Sequence, residues 1–528
     1  MSNRNREKKL AAIRAAWGKP RDQYIPIGSV RIYFDKQSGS EAFQVIDDRI
    51  ANDLDLDRVF ETLDHTNSRV GQQCLYDRLR RPTNRKDQLE KLEDRITFFQ
   101  EEVAQREEAQ LHLQELNEAR DYYFPMLIFD QLPKRPGWMN WAFLLQGITV
   151  GAIVFTIFYP AAFWVLIAVL PVNLFLHYQN KNRIGKFLVT FNRFSLLYRT
   201  GRQLKPYISG ESEEIDRHFR TLKNILYKIG WINLEKLQER EEYAPLWFLI
   251  EVLKFITLSE LILFFKLLDQ IKQHRSSIQF IYEAIGAIDT AISIASLRAS
   301  LPHYTRPEFT ASAREISLVA ALHPLLLDGV ANDLQLRNKS MLLTGSNMSG
   351  KTTYIRAMGL NVILAQSIFT PICKSYCAPF FRLGTSIRIQ DDVEEDKSYY
   401  LEEVNVIGEL IKKAGEPQPH LFIVDEMFKG TNTLERVSAA KAVLSHLDRG
   451  NSTVLISTHD IELTEYLGDT YDLYYFQESV ENDTLTFDYQ LKKGKLRHRN
   501  AIRILEIMGY PPEVTREAHQ LAAKIKIS

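Results

Sequence analysis

The sequence predicts an α + α/β fold, in which a mainly helical region precedes an α/β region with a mostly parallel sheet. Two observations predict the α/β region: a glycine-bounded octet, Gly345 to Thr352, follows an apolar run, and a second apolar run ends in Asp425 and Glu426. A third observation concerns residues 136–180, which contain no Asp, Glu, Lys or Arg and interrupt the helical region. Because 528 residues exceed the usual reach of one core, we expect several domains.

The glycine-bounded octet is expected to bind a polyphosphate. A short strand before it and a helix after it direct backbone N–H groups and the helix dipole at one point. Lys351 is then placed to reach the β- and γ-phosphates, and the Thr352 hydroxyl to hold a metal ion. The pattern therefore predicts ATP and Mg²⁺ as ligands. The predicted phosphate-binding residues are Gly345, Ser346, Asn347, Met348, Ser349, Gly350, Lys351, Thr352 and Thr353.

Two further apolar runs are expected to form strands whose carboxyl ends lie beside this octet, at the edge where open α/β sheets bind ligands. The first ends in Asp425, a predicted magnesium ligand, and Glu426, predicted to orient or deprotonate the attacking water. The second, residues 453–457, is followed by Thr458 and His459. We expect His459 to sense the γ-phosphate, the alternative being a structural histidine. The predicted catalytic residues are Glu426, His459 and Lys351.

The charge-free stretch consists of two apolar runs, residues 141–159 and 161–176, separated by Pro160. About 20 apolar residues cross a hydrocarbon core, so the two runs are predicted to form a transmembrane helical hairpin over residues 136–180. Basic residues on both sides place both flanks in the cytoplasm, with the chain anchored at the inner or cell membrane. The alternative is a hairpin buried in a soluble core, which Pro171 and Asn173 favour.

Composition gives no general attraction to nucleic acid, since 66 basic residues balance 66 acidic ones. Any affinity for DNA must come from local clusters, of which there are two. Each cluster is either a solvated surface or a set of phosphate contacts. The clusters are Arg78, Arg80, Arg81, Arg85 and Lys86, and then Lys492, Lys493, Lys495, Arg497 and Arg499. Three cysteines cannot form a disulfide framework and suit a reducing compartment.

The segments around these motifs resemble the MutS family of mismatch-repair ATPases. The loop from Phe428 to Glu435 looks like the signature loop of that family, and His323-Pro324 and Thr458-His459 also match. In the family this loop caps the nucleotide of the opposite subunit. The resemblance therefore implies a homodimer with composite ATP sites, with Thr431 and Asn432 as further nucleotide-binding residues, and DNA as a partner.

The resemblance also implies a domain organisation. Residues 1–45 are an N-terminal segment, 46–135 the first part of a helical core, 136–180 the hairpin, 181–305 the second part of the helical lever and core, and 306–528 a P-loop, ABC-like ATPase domain. The core resemblance begins by about Asp53, which leaves no room for the mismatch-reading N-terminal domain of the family. Lys429 and Asn432 stand where the family commonly has Arg and Ser.

Three functions remain compatible with these features. The leading expectation is a membrane-tethered, MutS-like ATPase that works on DNA as a nucleotide-gated dimeric clamp. The alternatives are a transporter-type motor ATPase and a membrane-bound nucleotide switch without DNA specificity. The transporter alternative is disfavoured because the sequence lacks a Leu-Ser-Gly-Gly-Gln signature.

Overall fold

A computed structural model describes residues 3–19, 24–37, 42–133, 137, 139–232, 258–346, 348–388, 399–481, 484–496 and 501–525. Among the residues singled out above, Asn347, Arg497 and Arg499 lie outside this described part. The described residues form helices and sheets in the α + α/β class predicted from the sequence, with the helices first and the main sheet in the second half of the chain.

The helices of the first part of the chain are joined to a later helix by buried hydrogen bonds. A central contact joins the start of helix α6, Arg69–Arg80, to the long helix α14, Arg275–Ser300. The fully buried Asp289 carboxylate of α14 accepts hydrogen bonds from the backbone N–H groups of Asn67 and Ser68 and from both their side chains. Ser68 in turn caps α6 by accepting from Gly71 N. Helices α1 to α9 are Asn3–Ala16, Ile27–Val30, Ile32–Lys36, Asp48–Asp53, Leu56–Leu63, Arg69–Arg80, Lys86–Glu101, Val103–Leu113 and Phe124–Phe129.

The charge-free stretch begins with two helices joined by a short 3₁₀ turn, Pro160–Ala162. The second of them continues beyond the apolar run as far as Leu204, so that the whole helix is 42 residues long. Its last turns pack into the helical core, where Phe194 and Leu197 are buried and Gly201 lies against Ile281. Helices α10 to α14 are Met139–Phe158, Phe163–Leu204, Ser212–Ile232, Ser259–Gln273 and Arg275–Ser300.

The outer surface of α10 and the start of α11 is apolar, whereas polar side chains lie between them. Trp141 is 67% exposed and Ile157 is 77% exposed. Thr149 and Asn173 are fully buried, and Asn173 Nδ2 donates to Thr149 Oγ1 at 3.3 Å. By length and composition two described helices could cross a bilayer, one over residues 141–158 and the other Arg275–Ser300. The second is mostly buried in the protein, as a core helix is.

The main sheet has six strands in the order β12-β9-β4-β8-β7-β6, all parallel to their neighbours except β12. A second sheet has four strands in the order β1-β5-β2-β3, and β10 pairs with β11. The strands β1 to β12 are Glu308–Phe309, Glu315–Ala321, Asn332–Arg337, Ser340–Thr344, Ser375–Ala378, Arg382–Ser386, His420–Asp425, Ser452–Thr458, Tyr471–Tyr475, Glu478–Glu481, Thr484–Phe487 and Lys492–Lys493. Helices α15 to α20 are Lys351–Ser367, Tyr399–Ala414, Thr433–Leu447, Leu463–Leu467, Ala501–Ile507 and Pro512–Ile525.

Two carboxylates of the helical region hold the α/β region. Asp53, which is 1% exposed, accepts from Thr385 Oγ1 at 2.6 Å and from the backbone N–H groups of Ile387 and Arg388. Asp55 forms ion pairs with Arg388 and with Arg356 of α15 at 2.8 and 3.0 Å. The helix that follows the glycine-bounded octet is therefore tied directly to the helical region.

The first basic cluster divides into two parts, since Arg85 and Lys86 are exposed whereas Arg78, Arg80 and Arg81 have partners inside the protein. Arg80 is 1% exposed; it donates to the carbonyl of Ile46 at 2.9 Å and pairs with Asp48 at 2.6 Å. Arg81 pairs with Asp77, and Arg78 donates to a backbone carbonyl of α15. Buried and surface arginines look alike in a sequence, because the difference lies in partners that are distant along the chain.

Candidate functional site

The glycine-bounded octet lies between β4 and α15, at the carboxyl edge of the main sheet. Gly345 and Gly350 have φ angles of +150° and +95°, which side-chain-bearing residues rarely adopt. A Cβ on Gly345 would lie 2.8 Å from Ser349 Oγ and 3.0 Å from a backbone oxygen. Lys351 folds back over the loop, where its Nζ donates to the carbonyls of Gly345 and Ser346 at 2.8 Å. The loop is thus shaped as the predicted phosphate cradle requires.

The predicted metal ligands are already in contact. Thr352 Oγ1 donates to Asp425 Oδ2 at 2.7 Å, and the other carboxylate oxygen of Asp425 accepts from Ser457 Oγ on the neighbouring strand. Within the described residues no cluster of three or more His, Cys, Asp or Glu side chains could hold a metal ion. One carboxylate and one hydroxyl fit Mg²⁺, which usually binds one or two protein carboxylates together with substrate phosphates.

Glu426 follows this strand in a strained backbone conformation. Its φ angle is +54° and that of Phe428 is +58°, an uncommon conformation for residues with side chains that recurs at functional sites. The Glu426 carboxylate contacts His459 Nε2 at 2.9 Å and Lys429 Nζ at 3.1 Å. The hydrogen bond with His459 is the main reason that the pKa of Glu426 is lowered to about 2.

Lys351 closes the same group of side chains. Its Nζ lies 3.3 Å from His459 Nε2, so the predicted catalytic residues Lys351, Glu426 and His459 form one continuous set of contacts. Burial lowers the pKa of Lys351 to about 8. A buried ammonium group favours the binding of an anion, since an anion compensates the charge that burial has removed from water.

Sequence reasoning did not identify the residue that supports the turn after Glu426. Glu403 of α16 is 1% exposed, and its Oε1 accepts from the backbone N–H of Phe428. Burial raises the pKa of this carboxyl. Glu403 therefore positions the strained turn that carries Glu426 and Lys429. The sequence offers no local signal for this role, because Glu403 and Phe428 are 25 residues apart.

The predicted signature loop ends in a capped helix. Asn432 is the N-cap of α17 and accepts from Glu435 N at 3.0 Å, while Thr431 Oγ1 donates to Glu435 Oε2 at 2.8 Å. In the described part of this single chain these two side chains bond with Glu435 rather than with the glycine loop. Arg436 forms a two-pronged ion pair with Asp460, which ties the helix to the loop that carries His459.

A cavity of about 610 Å³ opens beside the glycine loop. Its walls include Gly350, Tyr354, Phe476 and Tyr489. Asn332 fixes one wall, because its side chain donates to the carbonyl of Tyr489 at 2.9 Å and accepts from a backbone N–H two residues later. A cavity of this size with aromatic walls suits a nucleoside. No sequence motif indicated Tyr489, which is more than 130 residues from the loop it adjoins.

A glycine-rich loop between a strand and a helix, with an acid-tipped strand one position beyond the neighbouring strand of the same parallel sheet, is an arrangement typical of P-loop proteins. The chain is also similar to known proteins. Residues 341–526 match the MutS domain V family. DNA mismatch repair protein MutS of Thermotoga neapolitana is 30% identical over 284 residues, and MutS of Thermotoga maritima is 30% identical over 275. MutS of Lactobacillus gasseri is 28% identical over 276 residues.

Residues 341–526 are thus similar to MutS domain V. Each of the three matches to a MutS protein covers about half of this chain, namely 50%, 49% and 50%, and about a third of the relative, namely 34%, 33% and 32%. The chain thus spans about a third of the length of the curated relatives it matches.

Proposed function

We propose that this chain binds ATP with Mg²⁺ and hydrolyses it, and that it works as a nucleotide-gated dimeric clamp on DNA, tethered to a membrane. The observation that carries the ATPase proposal is the set of contacts that joins Thr352, Asp425, Glu426, His459 and Lys351 at one edge of the sheet. Similarity to MutS domain V over residues 341–526 supports the same chemistry, and three relatives are DNA mismatch repair proteins by name.

Each of these residues has a proposed role. The backbone N–H groups of residues 345–353 and the Lys351 ammonium bind the phosphates, so the present bonds from Lys351 to loop carbonyls exchange for phosphate oxygens. Thr352 and Asp425 hold Mg²⁺, which would neutralise charge on the phosphates. Glu426 orients the attacking water, and His459 holds the Glu426 carboxylate toward the reacting phosphate.

The position of Lys429 explains why the proposed hydrolysis would require a second subunit. In this single chain Lys429 holds the Glu426 carboxylate at 3.1 Å, so the proposed water-orienting oxygen is occupied by a cation of its own loop. We propose that Thr431 and Asn432, which lie at the start of α17 with Asn432 exposed, contact the nucleotide of the opposite subunit. In the proposed dimer, this contact between subunits also moves Lys429 away from Glu426, so that hydrolysis depends on dimerisation.

The inverted polarity of the hairpin supports the membrane tether. Apolar side chains cover its outside, while the hydroxyl of Thr149 and the amide of Asn173 meet inside. This is the arrangement that a hydrocarbon solvent selects and that water disfavours. We propose that residues 136–180 insert into the inner or cell membrane, with the ATPase region facing the cytoplasm.

One observation favours a second candidate, a membrane-bound nucleotide switch without DNA specificity. Arg80 and Arg81 of the first basic cluster are committed to internal partners, which leaves fewer cations for DNA phosphates. The overall balance of 66 basic and 66 acidic residues adds no general attraction.

The test is ATP binding and hydrolysis by the full chain in lipid nanodiscs. We expect Glu426→Gln to bind ATP but to hydrolyse it at least about a hundredfold more slowly, and to accumulate as a dimer by light scattering. Lys351→Ala should lose ATP binding. Glu409→Gln, the same chemical change at a surface ion pair, is the control and should hydrolyse ATP normally. Normal turnover by Glu426→Gln would refute the proposed role.

DNA dependence is measured on the same preparation. ATPase rates and binding are followed with duplex, branched and mismatched DNA over a salt series. Binding that weakens with salt, or DNA-stimulated hydrolysis, supports the clamp. Hydrolysis that is indifferent to every DNA supports the nucleotide switch.

A further inference from the structure

A second cavity lies where the helical region meets the α/β region, away from the ATP site. It has a volume of about 470 Å³ and lies between α6 and α14, closed at one end by the last residues of α15. We call it the junction cavity. Its walls carry four charged side chains, Asp77, Arg78, Arg81 and Glu283, whose formal charges sum to zero. A polar cavity between three elements of the fold is a common form of ligand site.

The polar groups in the walls differ in how well they are satisfied. Asp77 accepts from Arg81 Nε at 2.8 Å. Arg81 also donates to two backbone carbonyls. Glu283 Oε1 accepts from Tyr33 OH at 2.8 Å and from a glutamine amide. These three side chains have protein partners. The Gln37 amide also donates to both carboxylate oxygens of Asp77 at 3.2 Å, so the second oxygen of Glu283 is the one left for a ligand.

Two groups in the walls have fewer partners. Arg78 makes a single hydrogen bond in the described part of the chain, from Nη1 to the carbonyl of Ser367 at 3.2 Å. Thr290 is 1% exposed, and its hydroxyl has no hydrogen-bond partner among the described residues. A buried hydroxyl without a partner costs about 1–3 kcal/mol, so its persistence in a cavity wall indicates that something else bonds to it.

The walls separate these groups along the cavity. Glu283, Ala287 and Thr290 share one face of α14, because their spacings of four and three residues are those of a helix surface. Seven residues of helix span about 10 Å, so the Glu283 carboxylate and the Thr290 hydroxyl lie at different levels of the cavity. Ser367, which Arg78 contacts, belongs to the closing end formed by α15.

We propose that the junction cavity binds a zwitterionic small molecule of amino-acid or dipeptide size. Its anionic group bonds to the Arg78 guanidinium and the Thr290 hydroxyl, and its ammonium group bonds to the second oxygen of Glu283. Asp77 and Arg81 already compensate each other, so Arg78 and Glu283 are the two charges left for a ligand. A ligand with only one charge would leave either the Arg78 guanidinium or the Glu283 carboxylate uncompensated.

The site is placed to influence ATP binding, a regulatory role that rests on the proposed ATPase function. Gln366 and Ser367 line the junction cavity and are the last residues of α15, whose first residues are Lys351 and Thr352. A ligand that ties the end of this helix to α6 and α14 biases the position of the whole helix. Binding in the cavity does not itself depend on hydrolysis.

The experiment is isothermal titration of the full chain in nanodiscs with 6-aminohexanoate, 4-aminobutyrate and glycylglycine. Hexanoate and hexylamine, which carry one charge each, are the matched half-ligands. We expect at least one zwitterion to bind in the millimolar range or tighter, and both half-ligands to bind at least about tenfold more weakly. If no zwitterion in this set binds, the proposal is wrong.

Two variants locate the site. Thr290→Val keeps the side-chain shape and removes a hydroxyl that has no protein partner, so the variant should fold at least as stably as the parent chain. We expect zwitterion binding to weaken by about tenfold in Thr290→Val and to be lost in Arg78→Met. Binding that is unchanged in Thr290→Val would overturn the assignment, whatever the stability of Arg78→Met.

A third variant separates this proposal from the ATPase proposal. Glu426→Gln should bind the zwitterion as the parent chain does, because residue 426 does not line the junction cavity. If the parent chain binds the zwitterion but does not hydrolyse ATP, the ATPase proposal is wrong and the junction site stands. If the parent chain hydrolyses ATP normally but binds no zwitterion, the junction site is wrong and the ATPase proposal stands.

Discussion

An arginine at the middle of the hairpin distinguishes a membrane-spanning helix from a solvent-exposed one. Val150 lies near the centre of α10 and is 45% exposed. At the centre of an inserted helix, arginine costs about 2.5–3.5 kcal/mol and the lost valine adds a few tenths. We therefore expect Val150→Arg to shift the insertion equilibrium by roughly 3 kcal/mol, which is more than a hundredfold. If α10 instead faced water, the change would alter stability by less than about 0.5 kcal/mol.

The assay is membrane fractionation with alkaline carbonate extraction after expression of each variant. Val514→Arg is the matched control, because Val514 is 46% exposed on α20, outside the hairpin. The parent chain and Val514→Arg should stay in the membrane pellet, and Val150→Arg should leave it. Retention of Val150→Arg at the level of the control, or a soluble parent chain, would refute the insertion argument.

Three further predictions concern the ATP site and its support. ATP affinity should fall by up to about tenfold per pH unit above pH 8, because the phosphates require the charged form of Lys351. The pKa of Lys351 is about 8, so the side chain loses its proton as the pH rises through that value. Calorimetry from pH 6.5 to 9.5 measures the affinity, and a flat profile would mean that Lys351 does not contact phosphate. Asp53→Ala should lower the free energy of unfolding by about 3 kcal/mol in urea, since it leaves three donors without their acceptor. Tyr489→Ala should weaken ATP binding by roughly tenfold through loss of an aromatic wall, with a smaller effect on inorganic triphosphate.

The controls for these predictions are close in chemistry. Lys351→Arg keeps its charge over the whole pH range and should flatten the affinity profile. Asp87→Ala removes an exposed carboxylate and should change stability by less than about 0.5 kcal/mol. Equal weakening of ATP and triphosphate by Tyr489→Ala would mean that the cavity does not hold the nucleoside.

The sequence predicts those parts of the site that lie within short, continuous segments of the chain. The strand before Gly345 and the strand that ends in Asp425 are continuous apolar runs, and such runs form buried strands wherever helices cover both faces of a sheet. Parallel pairing then brings their carboxyl ends together. The contact between Thr352 and Asp425 follows from topology, although 73 residues separate the two side chains.

The rest of the arrangement depends on contacts between distant segments that have no pattern of their own. The capture of Thr385 by Asp53 spans 332 residues, and the bond from Asn332 to Tyr489 spans 157. The internal position of Arg80 was likewise hidden, because two of its partners, Ile46 and Asp48, precede it by more than 30 residues. The pairing of Arg14, in the first helix, with Glu107 spans 93 residues.

The unbroken course of α11 has a mechanical consequence. A helix of 42 residues is about 63 Å long, and its two ends lie in different surroundings, the apolar hairpin and the helical core beside α14. If the core end rotates by about 5°, the far end sweeps through on the order of 5 Å, the size of one helical turn. A small repacking around Gly201 would thus become a large stroke at the other end, and the same leverage would run in reverse when tension acts on the hairpin.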